Sequence, residues 1–187
     1  MTAPNLLSLL RIFLVPLTVW LIISDQLQFA FLTMVIAGLT DAADGYLAKR
    51  FGLQTELGAY LDPLADKLLL VSIFVTLGLR GDMPSWFVIL IVSRDIMIIT
   101  AILLSAILGR PVRMRPLMVS KVNTAAQIIL ALATLADLGF GLGLAGAQVW
   151  MVYITALLTV VSAAAYLVAW LQHMTGSSDT PAEREKV

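Results

Sequence analysis

The chain has no cysteine and a single histidine, His173. No disulfide framework and no thiolate chemistry can therefore be built, and the redox compartment stays open. Neither a Cys cluster nor a His pair is present to hold zinc. Charge is scarce as well: Asp, Glu, Lys and Arg make up 13% of the 187 residues, against about 25% in an ordinary soluble domain. The charges present cancel to zero, which argues against nucleic acid as a partner. A basic n-region is missing, and Arg11 interrupts the first apolar stretch with no small-residue cleavage site after it. The first helix is therefore expected to be retained rather than removed as a signal. An Arg- and Ser-rich leader is also missing, which speaks against a mitochondrial precursor.

What the chain has in excess is apolar residues, 60% of the total. A membrane-spanning helix takes roughly 20 of them in succession. Six such segments are predicted, at 6–24, 28–48, 59–79, 85–108, 117–138 and 147–171. Turn or charge signals separate them: Ser24-Asp25, Lys49 to Glu56, Gly81 to Pro84, Gly109 to Pro116, and Gly139 to Gly146. The expected fold is all-α, a six-transmembrane-helix integral membrane bundle over residues 1–172. A polar tail at 173–187 is expected to be disordered. No internal repeat is evident.

Lys and Arg in the loops orient the bundle. Lys49, Arg50, Arg110, Arg113, Arg115, Lys121, Arg184 and Lys186 fall at one face and only Arg80 at the other. Eight against one places the first face, with both termini, in the cytoplasm. Trp20, Trp86, Trp150 and Trp170 stand near the predicted helix ends, as interfacial anchors do.

Charge inside the predicted helices is the most informative feature. Arg11, Lys67 and Arg94 lie there, with Asp41, Asp44, Asp62, Asp66 and Asp95. A charge at bilayer depth costs several kcal/mol, so such residues usually face a cavity and mark function. Asp41 and Asp44 are three apart and share one face of helix 2. Asp62 and Asp66 are four apart and share one face of helix 3. A short loop joins the two helices, so the four carboxylates can converge near the cytoplasmic surface. Four ionised carboxylates repel one another unless cations intervene. Hard oxygen ligands suit Mg²⁺ or Mn²⁺, and two such ions about 3.5–4 Å apart form the usual clamp for displacement at phosphorus. Gly45 and Gly58 lack the Cβ that would keep a phosphate or a neighbouring backbone away. Lys49 and Arg50 can neutralise a diphosphate at the loop. The competing reading makes these aspartates mere helix ends. It is even odds for one of them and poor for four at this spacing.

The run Asp41-x2-Asp44-Gly45-x2-Ala48-Lys49-x8-Gly58-x3-Asp62-x3-Asp66 resembles the signature of the CDP-alcohol phosphatidyltransferase family. One fixed position departs: Lys49 stands where the family has Arg, keeping the charge but losing the bidentate fork. Arg50 is a candidate to compensate. Pro4 to Arg11 is similar to the start of the phosphatidylglycerophosphate and cardiolipin synthases of this family. Ser93-Arg94-Asp95, Ser120 to Gln127 and Asp62 to Lys67 look most like the CMP-forming cardiolipin synthases, a branch found in mitochondria and some bacteria.

The resemblance implies attack by an acceptor hydroxyl on the diacylglycerol-bearing phosphorus of CDP-diacylglycerol, with CMP leaving. It implies metal ligation by Asp41, Asp44, Asp62 and Asp66, with Asp66 also the general base. Asn5 and Ser8 would touch the nucleotide, although Ser8 equally fits a helix start, and Gly45, Lys49 and Gly58 would serve the diphosphate. The acceptor implied is phosphatidylglycerol, a lipid anion that needs a cation. Arg94, Lys121, Arg110, Arg113 and Arg115 are the candidates. The plainer readings are that the three loop arginines set topology, that Arg94 pairs with Asp95, and that Arg11 snorkels. The resemblance further implies a homodimer in a bacterial inner membrane, its active-site cavity facing the cytoplasm. The alternative is a phosphatidylglycerophosphate synthase using glycerol 3-phosphate. A small ion transporter is a remoter one: inverted repeats are not evident, and the acids cluster at one face.

Overall fold

The computed structural model describes residues 3–51, 56–108 and 118–174, with side chains at 12–40, 67–105, 107–108 and 118–173. Among the described residues there are six helices and no strand. They are α1 (Ala3–Ile23), α2 (Leu27–Phe51), α3 (Glu56–Arg80), α4 (Ser85–Ile107), α5 (Met118–Phe140) and α6 (Ala145–Met174). Each coincides with one predicted segment and most run a few residues past it. Backbone hydrogen bonding continues into polar sequence, as at Lys49 to Phe51 of α2, where hydropathy gives no signal.

Three stretches are long and apolar enough to cross a membrane among the described residues: Ser85–Ser105, Met118–Phe140 and Ala145–His173, with mean hydropathies of 2.4, 1.4 and 2.1. Ile12–Ile23 and Leu27–Thr40 are shorter apolar stretches in α1 and α2. Only 33% of each long span is buried inside the protein. The rest presents side chains such as Ile89, Trp150 and Tyr153 outward, at 65%, 72% and 59% exposure. Apolar surface on that scale belongs in lipid rather than water, and the protein is a membrane protein.

The helix pairs α1–α3, α5–α6, α1–α2, α2–α5 and α4–α6 make the main contacts, and α3 also touches α4 and α5. Their apolar core includes Ile22, Ala30, Ile73, Phe74, Leu77, Phe87, Ile91, Leu130 and Leu135. The rings of Phe74 and Phe87 meet edge to face at 5.7 Å, an arrangement aromatic pairs favour.

At one end of the bundle the turns are tight. Gly81 (φ 87°) closes α3: its N–H donates to the Gly78 carbonyl, and the Asp82 N–H donates to the Leu77 carbonyl. This is a Schellman closure. Asp25 (φ 60°) closes α1 in the same way, through Asp25 N–H to Ile22 and Gln26 N–H to Leu21. Arg80 ties the two closures together. It donates to Asp25 at 2.8 Å, to Asp82 at 2.8 Å and to the Ile22 carbonyl at 2.5 Å. The Gln28 amide reaches the Gly139 carbonyl at 2.8 Å, and a Cβ on Gly139 would stand 2.9 Å from the Gln28 backbone nitrogen. Trp86 and Tyr153 stack across α4 and α6 at 5.9 Å. These contacts gather the C-terminal ends of α1, α3 and α5 with the N-terminal ends of α2, α4 and α6.

Candidate functional site

The four motif aspartates stand on the halves of α2 and α3 remote from the Arg80 end. Asp41 and Asp44 belong to α2, Asp62 and Asp66 to α3. Counted along the helices, Asp41 and Asp66 lie about 21 Å from the Leu27 and Arg80 ends, and Asp44 and Asp62 about 26 Å. The two pairs therefore sit at matching levels of neighbouring strokes of the chain. Their side chains lie outside the described residues, as do those of Asn5, Ser8, Arg11, Gly45, Lys49, Arg50 and Gly58. Arg110, Arg113 and Arg115 lie outside the described residues altogether. Among the described residues no cluster of three His, Asp or Glu side chains that could hold a metal occurs.

Of the expected acceptor residues, Arg94 and Lys121 are described in full. Lys121 is exposed near the start of α5. Arg94 is 4% exposed and reaches across the bundle interior. Its Nη1 donates to Asp95 Oδ1 at 2.6 Å, and its Nη2 donates to Ser120 Oγ on α5 at 2.6 Å and to Ser162 Oγ on α6 at 2.8 Å. The Tyr166 ring lies 5.7 Å from the guanidinium carbon, within cation–π reach. Asp95 also accepts from the Lys67 ammonium of α3, on the same oxygen, at 3.2 Å. One carboxylate oxygen thus links α3 to α4, and through Arg94 to α5 and α6. The pairing of Arg94 with Asp95 is the plainer of the two readings the sequence offered for that arginine.

The polar interior continues along α5 and α6. Ser120, Asn123 and Gln127 recur at three- and four-residue intervals on one face of α5, as Ser162, Thr159 and Thr155 do on α6. Thr159 donates to Asn123 Oδ1 at 2.9 Å, and both residues are fully buried. Among the described residues, Arg94 Nε, Asn123 Nδ2 and Gln127 Nε2 are buried donors without a hydrogen-bond partner. Sequence reasoning had singled out Ser120 to Gln127 and the charge on Lys67, but gave Lys67 no role and did not reach Ser162, Tyr166 or Thr159. The i, i+4, i+7 spacing of Thr155, Thr159 and Ser162 in α6 was the available signal.

Comparison with known proteins decides which family this geometry belongs to. The sequence profile of the CDP-alcohol phosphatidyltransferases matches residues 1–161. The chain belongs to the CDP-alcohol phosphatidyltransferase family. It is 38% identical over 151 residues to the human cardiolipin synthase (CMP-forming), covering 72% of this chain and 50% of that protein. It is 32% identical over 185 residues to a Schizosaccharomyces pombe cardiolipin synthase (CMP-forming) / mitochondrial hydrolase fusion protein, covering 90% of this chain and 31% of the other. A rice chloroplastic CDP-diacylglycerol–glycerol-3-phosphate 3-phosphatidyltransferase is 31% identical over 155 residues, 74% of this chain and 47% of its own. The chain spans half the length or less of these relatives. The family match covers α1 to α5 and about half of α6, and so contains the four aspartates with Lys67, Arg94, Asp95 and Ser120, while Ser162 and Tyr166 lie just beyond it.

The donor set fits a hard divalent cation. Four carboxylates on two consecutive helices would supply only oxygen, the ligand Mg²⁺ and Mn²⁺ prefer.

Proposed function

We propose that this protein is a phosphatidyltransferase that makes cardiolipin and CMP from CDP-diacylglycerol and phosphatidylglycerol, with Mg²⁺ or Mn²⁺ as cofactor. The observation that carries the reading is the placement of the two aspartate pairs at one level on consecutive helices, inside a chain that matches the family over residues 1–161. The cardiolipin synthases among its relatives support the choice of acceptor.

Asp41, Asp44, Asp62 and Asp66 would hold the metal. When bound there, it neutralises the diphosphate and polarises the phosphorus under attack. Asp66 takes the proton from the acceptor hydroxyl as that oxygen bonds to the diacylglycerol-bearing phosphorus. The bond from phosphorus to the CMP oxygen breaks, and CMP leaves with the electron pair. Gly45 and Gly58 leave room for the diphosphate, Lys49 meets its charge, and Asn5 touches the nucleotide. Lys121 and the loop residues Arg110, Arg113 and Arg115 attract the anionic acceptor, with Arg94 behind them in the interior. The eight-to-one bias of Lys and Arg supports a cytoplasmic active-site cavity within six spans. A bacterial inner membrane and a homodimer follow from the family resemblance.

The test is CMP release by the purified full chain given CDP-diacylglycerol, either metal, and one of two acceptors. Turnover is expected with phosphatidylglycerol. Turnover with glycerol 3-phosphate alone would hand the protein to the second reading, phosphatidylglycerophosphate synthesis, which the rice relative favours. Metal flux into liposomes without any CMP would overturn both.

A further inference from the structure

Among the described residues, charge around Asp95 does not balance. Two cations, Lys67 and Arg94, share one oxygen of one carboxylate. Arg94 is the better held of the two: its contact is 2.6 Å against 3.2 Å, and it is buried with two hydroxyl partners besides. The Asp95 charge is therefore largely spent on Arg94. Lys67 keeps a fractional partner, while its side chain remains 38% exposed. An ammonium carries three donors and no acceptor. Asp95 takes one of them, and no second partner of Lys67 occurs among the described residues. A cation left over among apolar helices is costly unless an anion comes to it. Lys67 follows Asp66 directly and stands on α3 at its level, about 20 Å from the Arg80 end.

We propose that Lys67 is a binding residue for a lipid-borne phosphate, held in place by Asp95, which Arg94 in turn fixes to α5 and α6. This rests on the phosphatidyltransferase reading and adds to it a cation that belongs to neither the aspartate motif nor the loop arginines. Both lipids in the reaction carry the required chemistry, the diphosphate of CDP-diacylglycerol and the phosphodiester of phosphatidylglycerol. Asp95 acts here as a positioning residue. It leaves Lys67 charged but confines the ammonium to one place.

The experiment compares Lys67→Gln, Lys67→Arg and Asp95→Asn with the unaltered chain. Each lipid is varied at saturation of the other, and direct binding of phosphatidylglycerol to the full chain in neutral-lipid nanodiscs is measured alongside. Loss of one charge-assisted hydrogen bond predicts a KM about ten- to a hundredfold higher for one lipid in Lys67→Gln, with kcat within about threefold. The lipid whose KM moves identifies the phosphate. Lys67→Arg should restore most of the affinity, and Asp95→Asn should raise the same KM by less than Lys67→Gln. Unchanged KM values for both lipids in Lys67→Gln would overturn the proposal, as would a fall in kcat alone. Should Lys67→Gln not fold, Asp95→Asn and Lys67→Arg decide: normal KM in the first together with tenfold loss in the second refutes the assignment. Phosphatidylglycerol binding that depends on Lys67 in a chain releasing no CMP would sustain this inference while the enzymatic reading falls. Normal turnover with indifferent Lys67 variants would do the reverse.

Discussion

Two arginines divide the molecule. Arg80, at one end of the bundle, is met by two acids, Asp25 and Asp82, and by a backbone carbonyl. Arg94, in the interior, is met by one acid that it must share with Lys67. Among the described residues, anions are in excess around the first and cations around the second. Asp25 is 78% exposed on its side chain, so water screens whatever imbalance remains there. At Arg94 the side chain is 3% exposed, and no solvent does that work. The Arg80 end closes the bundle: its groups join α1, α2 and α3 through short turns. The interior network ties four helices beside the motif aspartates and keeps positive charge to offer. The same residue type is a staple in one place and, on the proposed function, part of a site in the other, according to burial and the ratio of cations to acids.

The largest expected effect lies on the catalytic side of this contrast. Asp66→Asn keeps size and hydrogen bonding but cannot accept a proton, and it weakens a metal ligand. Turnover should fall by a factor on the order of 10³ or more, with the melting temperature in detergent within a few degrees of the unaltered chain. CMP release at saturating lipid and metal reads this, and near-normal turnover would reject Asp66 as the base.

Next comes the interior arginine. Arg94→Met removes the cation but preserves bulk. It leaves Asp95 with Lys67 alone and strips Ser120 and Ser162 of their donor. Breaking a buried pair by removing one partner costs about 3–5 kcal/mol. A substantial drop in thermal stability in detergent should follow, together with lost activity, since α3 carries Asp62 and Asp66. A variant as stable as the original would show that the network contributes little to holding the bundle.

The sequence made the helices legible because apolar runs and their breaks are local signals, and each of the six segments became a helix. The aspartate motif was legible for the same reason, since its spacing is fixed along the chain. The Arg94 network was legible only in part. Its pairing with Asp95 joins chain neighbours, whereas Ser120 lies 26 residues away and Ser162 lies 68 away. No periodicity says which face of α6 meets which arginine. Lys67 was visible as a charge inside a helix, but the sharing of Asp95 between it and Arg94 is a fact of packing.

Arg80→Ala should matter less. It removes two ion pairs at an accessible end, where each contributes roughly 0.2–1 kcal/mol. The Ile22 carbonyl it leaves keeps the Asp25 N–H as a donor, so its loss is small too. The expected outcome is a melting temperature lower by a few degrees and unaltered CMP release. A loss of stability matching that of Arg94→Met would break the comparison, because burial would then not be what separates the two arginines.

The smallest effect is expected at the one departure from the family pattern. Lys49 follows the first aspartate pair on α2, with Arg50 directly after it. A lysine meets a diphosphate as a point charge, whereas an arginine presents a planar fork that can bond two oxygens at once. Lys49→Arg restores the fork where the family has it. If Lys49 serves the diphosphate, kcat should stay within about twofold and KM for CDP-diacylglycerol should hold or fall slightly. If Arg50 has taken over that contact, Lys49→Arg is neutral, and Arg50→Gln raises the KM instead. A severe loss in Lys49→Arg fits neither arrangement. It would mean that the chain after Asp44 runs differently from the family pattern, and that this cation belongs, like Arg80, to the groups that hold the bundle rather than to those that meet the substrate.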